Sequence, residues 1–176
     1  MTTEEILSNL RVVPDFPTKG VMFQDITTLL LNPECLQELI DRLCAFYKDK
    51  GITKVVGVES RGFILGPAIA SRLGAGFVLA RKAGKLPADT IQETYSKEYG
   101  SDTIEIHRGS ISPEDVVLLH DDLLATGGTI AAAARLVGKF IPKKVYASFI
   151  IDLVNVPRLP EFPKDLEVCS VLEINE

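Results

Sequence analysis

Two adjacent carboxylates, Asp121 and Asp122, follow the apolar run Val116-Val117-Leu118-Leu119-His120 and precede Leu123-Leu124-Ala125-Thr126-Gly127-Gly128-Thr129. Carboxylates are seldom left unpaired at the end of an apolar strand. Two of them side by side can accept hydrogen bonds from neighbouring hydroxyls. The turn that follows is small and glycine-rich and opens a helix. Its backbone N–H groups can converge on an anion, and its glycines allow close approach and positive φ. A sugar bearing a phosphate satisfies both halves. The turn is not a nucleotide P-loop, because no lysine follows Gly128.

Regular elements must position this segment. Thr2 and Glu5 have capping-box spacing ahead of a short amphipathic helix ending near Arg11. Residues 13–25 hold prolines, turn residues and two phenylalanines. Asn32-Pro33-Glu34 reads as N-cap, N1 proline and first-turn acid. Leu36, Leu39, Ile40, Leu43, Cys44 and Tyr47 follow at helical spacing, in a helix stopped near Gly51. The run Lys54–Glu59 reads as a buried parallel strand ending in Ser60-Arg61-Gly62-Phe63. A helix through Ala68-Ile69-Ala70 then stops at Gly74, and Phe77–Ala80 is the next strand.

Residues 82–108 read as polar and loop-like, except for an antiparallel strand over Thr103–His107. A helix over Ala131–Phe140 and a strand over Lys144–Ile151 follow. This alternation predicts an α/β fold: a parallel sheet with helices on both faces, binding ligands outside the carboxyl ends of its strands. The segments after Glu59 and after His120 both sit at such ends.

A chain of 176 residues, 46% hydrophobic, fits one packed domain burying about 70% of its unfolded surface. The net charge of −5 leaves no basic footprint for nucleic acid. No apolar run approaches the roughly 18 residues of a membrane span, and Met1-Thr2-Thr3-Glu4-Glu5 does not look like a signal peptide. Cys35, Cys44 and Cys169 form no CxxC pair, which fits a reducing compartment. A soluble, cytoplasmic protein is expected.

The Val116–Thr129 segment resembles the phosphoribosyl-pyrophosphate (PRPP) signature of the type I phosphoribosyltransferases. Four further stretches are similar to the adenine phosphoribosyltransferases of that family. They are Pro14-Asp15-Phe16-Pro17, Glu59-Ser60-Arg61-Gly62-Phe63-Ile64-Leu65-Gly66-Pro67, Arg81-Lys82-Ala83-Gly84-Lys85-Leu86-Pro87 and Tyr95-Ser96-Lys97-Glu98-Tyr99-Gly100. They occur in the family's order, from about residue 11 to residue 152.

The resemblance implies one type I phosphoribosyltransferase domain over 1–176, with a central, mostly parallel twisted sheet flanked by helices. It places a base-binding hood in 1–33 and a flexible catalytic loop region in 82–108. The implied reaction is adenine + PRPP → AMP + pyrophosphate, with Mg²⁺ carried by PRPP, without direct protein ligands and bridged through water to Asp121 or Asp122. Asp121 and Asp122 would hold the ribose hydroxyls near developing positive charge. Ala125, Thr126, Gly127, Gly128 and Thr129 would wrap the 5′-phosphate. Ser60 and Arg61 belong to the implied pyrophosphate loop. Arg81, Lys82 and Lys85 would reach a neighbouring subunit's pyrophosphate site, implying a homodimer with sites near the interface.

Glu98 matches the family's proton-transfer group, and Tyr99 would cover the closed site. Phe23 and Leu123 match the positions that sandwich the purine, while the backbone of Met22 and Gln24 would read adenine's edge. Gln24 departs from the arginine of many members, and His120 from a common aliphatic residue. His120 is expected to pack or hydrogen-bond under the sheet, His107 to lie on the surface, and Cys35 and Cys44 to pack. Residues 153–168, with Pro157, Pro160 and Pro163, depart from the family's usual ending. Two other readings remain open: a transferase for another purine base, and a PRPP-sensing regulator without catalysis. The absence of a basic face and the intact pyrophosphate and catalytic loop motifs count against the second.

Overall fold

A computed structural model describes residues 1–97 and 99–175. The Thr2 capping box closes as its spacing predicts: Glu5 N donates to Thr2 Oγ1 at 3.2 Å and Thr2 N to Glu5 Oε2 at 2.7 Å. The helix it starts, α1 (Thr3–Ser8), stops short of Arg11. Arg11 instead begins β1 (Arg11–Pro14), which pairs antiparallel with β2 (Met22–Asp25). The Pro-rich stretch read as turns thus carries a small hairpin, tied by Arg11 Nε donating to Asp25 Oδ2 at 2.8 Å. After α2 (Thr27–Leu31), Asn32 Oδ1 accepts from Glu34 N and Cys35 N at the start of α3 (Pro33–Tyr47).

The main body then alternates. It runs β3 (Lys54–Val58), α4 (Gly62–Leu73), β4 (Gly76–Lys82), β5 (Thr90–Ser96), β6 (Ser101–His107), β7 (Val116–Leu124), α5 (Gly128–Gly138), β8 (Lys144–Leu153) and β9 (Glu167–Ile174). Gly74 ends α4 in the left-handed region at φ 68°, where glycine has no Cβ penalty.

One seven-stranded sheet has the order β5-β6-β4-β3-β7-β8-β9. The run from β4 to β9 is parallel, while β6 pairs antiparallel with both β4 and β5. The 82–108 region is therefore no simple loop. Much of it is a hairpin registered from Thr90↔His107 to Ser96↔Ser101. Its outer strand looks polar because only Ile91 and Tyr95 pack inward, and Glu93, half-buried between them, pairs with Arg135 of α5 and with Lys139 just past its end. Strand β9 has no counterpart in the sequence reading.

Successive side chains on a strand face opposite ways, and β7 shows it. Val117 and Leu119 join Ile130, Leu136 and Val137 of α5 in one core. Leu118 joins Leu39, Leu43, Leu65 and Ile69 of α3 and α4 in the other. Both layers leave the sheet's carboxyl edge open between β3 and β7. There the chain turns one way through α4 to β4 and the other way through α5 to β8, the switch point at which open α/β sheets bind ligands.

Candidate active site

Strand β7 continues through Leu124, so Asp121 and Asp122 lie inside the strand rather than just past its end. The Asp122 side chain is 2% exposed and its Oδ2 sits 3.0 Å from Arg61 Nη1. Asp121 Oδ1 accepts from the Asp122 backbone N–H at 2.9 Å. Burial pushes the Asp121 carboxyl well above the ordinary carboxylate range, and the charge of Asp122 adds to that shift. Burial also raises Asp122, but the Arg61 guanidinium opposes it. Asp122 is thus the member of the pair better placed to stay ionised.

Arg61 reaches Asp122 because α4 begins hard against β7. A Cβ on Gly62 would lie 2.5 Å from the carbonyl oxygen of His120, so only glycine lets the helix start there. The Arg61 guanidinium also stands 5.7 Å from the ring centroid of Phe23, a cation–π arrangement that links the hairpin to the acid pair.

Beyond β7 the chain enters the glycine turn. Gly127 adopts φ 81° ahead of α5, and no side chain caps the helix. The first N–H groups of α5 therefore have neither an intrahelical partner nor a side-chain cap, the arrangement that favours an anion. Arg61, residues 121–130 and Phe149 line a cavity of about 160 Å³. It gathers Arg61, Asp121, Asp122, Leu123, Ala125, Thr126, Gly127, Gly128 and Thr129 at the switch point.

Among the described residues, the others singled out in the sequence do not line this cavity. Ser60 follows Glu59 through a cis peptide. Phe23 packs edge-on against Phe16 with centroids 5.1 Å apart, and Met22 is exposed. Gln24 is buried, and its Nε2 donates back to Met22 O at 3.2 Å, which turns the side chain onto its own strand. Arg81 is paired with Glu59 at 3.1 Å, and Lys82 N donates to Glu59 Oε2 at 2.7 Å. Hydrogen bonding from Arg81 leads the lowering of the Glu59 carboxyl's pKa. Glu59 thus organises the basic stretch, a role its place in the motif did not reveal. Lys82 and Lys85 are exposed.

Tyr99 is 88% exposed, and Glu98 lies outside the described residues. His120 is fully buried, with Nδ1 2.9 Å from Ser148 Oγ. Burial lowers its pKa to about 4, so it packs as a neutral ring. Cys35 and Cys44 are buried free thiols. His107 is half-buried at the end of β6 rather than lying on the surface, because β6 is covered by β5 on one side and β4 on the other. The residues after β8 return to the site: Leu159 N donates to Thr126 O at 2.9 Å. No composition signal marks that return.

The acid pair and the open glycine turn meet at the switch point of this sheet, and the chain around them is of the phosphoribosyltransferase class. Residues 26–165 match the phosphoribosyl transferase domain model. An adenine phosphoribosyltransferase of Phocaeicola vulgatus is 59% identical over 174 residues, covering 99% of this chain and 100% of that protein. The crystal structure of adenine phosphoribosyltransferase from Rhodothermus marinus superposes with a TM-score of 0.90 at 46% identity, covering 98% of each chain. The Giardia lamblia APRTase, solved with 9-deazaadenine, gives 0.92 at 41% identity and covers 100% of this chain and 99% of its own. The chain belongs to the phosphoribosyltransferase family, among relatives that are adenine phosphoribosyltransferases.

Proposed function

We propose that this protein transfers the phosphoribosyl group of PRPP to adenine, forming AMP and pyrophosphate in purine salvage. The observation that carries this reading is the single cavity in which Asp121, Asp122, Arg61 and the open 125–129 turn converge. The similarity to adenine phosphoribosyltransferases, one of them holding 9-deazaadenine, supports adenine as the base.

The proposed chemistry follows from these groups. A ring nitrogen of adenine attacks the anomeric carbon while the bond to pyrophosphate breaks, through an oxocarbenium-like state as in glycosyl transfer generally. Asp121 and Asp122 hold the ribose hydroxyls and lie near the positive charge that develops on the sugar. The 125–129 amides fix the 5′-phosphate, so the sugar is anchored at one end while the leaving group departs at the other. Arg61 lets go of Asp122 as the ribose hydroxyls take its place, and turns its donors to the pyrophosphate with Ser60 beside it. Phe23 and Leu123 stack on the purine, and Met22 and Gln24 read its edge through their backbones. Glu98 serves proton transfer on the base, and Tyr99 covers the closed site.

Two adjacent carboxylates suit Mg²⁺, which prefers hard oxygen donors and keeps waters and substrate phosphates among its ligands. When bound with PRPP it would neutralise charge on the departing pyrophosphate, with Asp121 or Asp122 reached through water. We further propose a homodimer in the cytoplasm. Lys82 and Lys85, exposed beside the Glu59–Arg81 pair, are free to reach a partner's pyrophosphate site, and the three free cysteines fit a reducing compartment. Sedimentation at twice the 19.2 kDa chain mass tests the dimer.

The test of function mixes protein, PRPP and Mg²⁺ with adenine, hypoxanthine or guanine and follows nucleotide formation. AMP should form from adenine far faster than IMP or GMP from the others. PRPP binding without any nucleotide would favour the sensing regulator, and equal use of the bases would overturn the specificity. In the same assay Asp122→Ala should lower kcat/KM by about 10²–10³. Glu98→Gln should lower kcat by about 10²–10⁴. Activity near wild type in either would remove that residue's role.

A further inference from the structure

Between β8 and β9 the chain does not leave the molecule but folds back across the outside of the glycine turn. Arg158 pairs with Asp152 at the end of β8, and its Nη1 donates to the carbonyl oxygen of Ala125 and, at 3.2 Å each, to those of Leu153 and Val156. The next residue, Leu159, donates its N–H to Thr126 O at 2.9 Å. Phe162 packs so close under Gly127 that a Cβ there would collide with its ring, and Leu159 lies close to Gly128, its Cδ1 3.1 Å from where a Cβ would stand.

Two neighbouring carbonyls of the turn are therefore pulled to the side away from the cavity. In a trans peptide the C=O and the following N–H point in nearly opposite directions. Holding the Ala125 carbonyl outward turns the Thr126 N–H inward, and holding the Thr126 carbonyl outward turns the Gly127 N–H inward. We propose that Arg158 is a positioning residue for the phosphoribosyl transfer: with Leu159, it locks the Ala125–Thr126 and Thr126–Gly127 peptides in the orientation that aims two amides at the 5′-phosphate. A free turn would have to order itself around each ligand, and the lock removes that cost before binding. This role rests on the reading that residues 125–129 receive the 5′-phosphate.

Removing a charged donor from a partly buried carbonyl and leaving the turn free to rotate should cost about ten- to a hundred-fold in affinity for phosphate-bearing ligands. The test compares Arg158→Ala, Arg158→Lys and wild type by calorimetric titration with AMP, ribose 5-phosphate and adenine, alongside steady-state kinetics. Arg158→Ala should weaken AMP and ribose 5-phosphate and raise KM for PRPP by that factor, while its affinity for adenine and its kcat stay within about three-fold. Arg158→Lys, which keeps the charge beside Asp152 but lacks the fork, should fall between the two.

Equal weakening of adenine and the phosphorylated ligands would mean a merely structural role and overturn the proposal. So would an unchanged KM for PRPP. If Arg158→Ala does not fold, the lysine variant decides alone, by whether its loss is confined to phosphate-bearing ligands. A wild-type protein that makes no AMP would instead sink the function itself, a result these variants cannot produce.

Discussion

Asp121 and Asp122 are the same residue type one position apart, yet the strand gives them different surroundings. Asp122 meets Arg61 at 3.0 Å, while Asp121 has burial and its neighbour's charge against it. A carboxyl that ionises less readily folded than unfolded draws stability away as pH rises from about 4 through its raised folded value. Asp121→Asn lacks that loss. It should match wild type in urea unfolding near pH 4 and become more stable by about 1–2 kcal/mol by pH 8, while its turnover falls. A variant no more stable than wild type at pH 8 would contradict the assignment. The pair and the glycine turn were legible in the sequence because both are contiguous. The Arg61–Asp122 contact and the cation–π link to Phe23 were not, since they need β3, β7 and the hairpin brought together from separate stretches.

At the scale of elements, the approach of α4 to β7 sets where Arg61 stands. Gly62→Ala puts a Cβ 2.5 Å from a backbone oxygen that cannot swing aside, so the helix must shift. The expected cost is about 1–3 kcal/mol in urea unfolding, with a further loss of AMP formation as Arg61 moves off Asp122. Wild-type stability would show that the approach is looser than this geometry requires. Helices α3, α4 and α5 and strands β3, β4, β7 and β8 were readable because apolar residues recur within each, and Asn32 and Gly74 mark the start of α3 and the end of α4. The β5–β6 hairpin was half hidden, since Glu93 finds its partners Arg135 and Lys139 about forty residues on, so its inward face carries a charge. Strand β9 escaped for a related reason: it is an edge strand whose Glu167, Ser170 and Glu173 blur the alternation.

For the whole molecule, two cores on opposite faces of one sheet leave a crevice where the strand order reverses. Alternating strands and helices announced that architecture, and the rule for open α/β sheets pointed to the edge where the cavity lies without any contact being known. What the alternation could not convey is that the segment after β8 closes over the glycine turn, because its prolines look like any surface connection. Under the proposed function, one ligand would meet three separate anchors: acid pair, glycine turn and hairpin. The most direct measurement is a crystal structure of the protein soaked with AMP. The phosphate should lie within hydrogen-bond distance of the 126–129 amides, the ribose hydroxyls on Asp121 and Asp122, and the adenine between Phe23 and Leu123. AMP bound with its phosphate away from that turn, or its ribose away from the two carboxylates, would contradict the account.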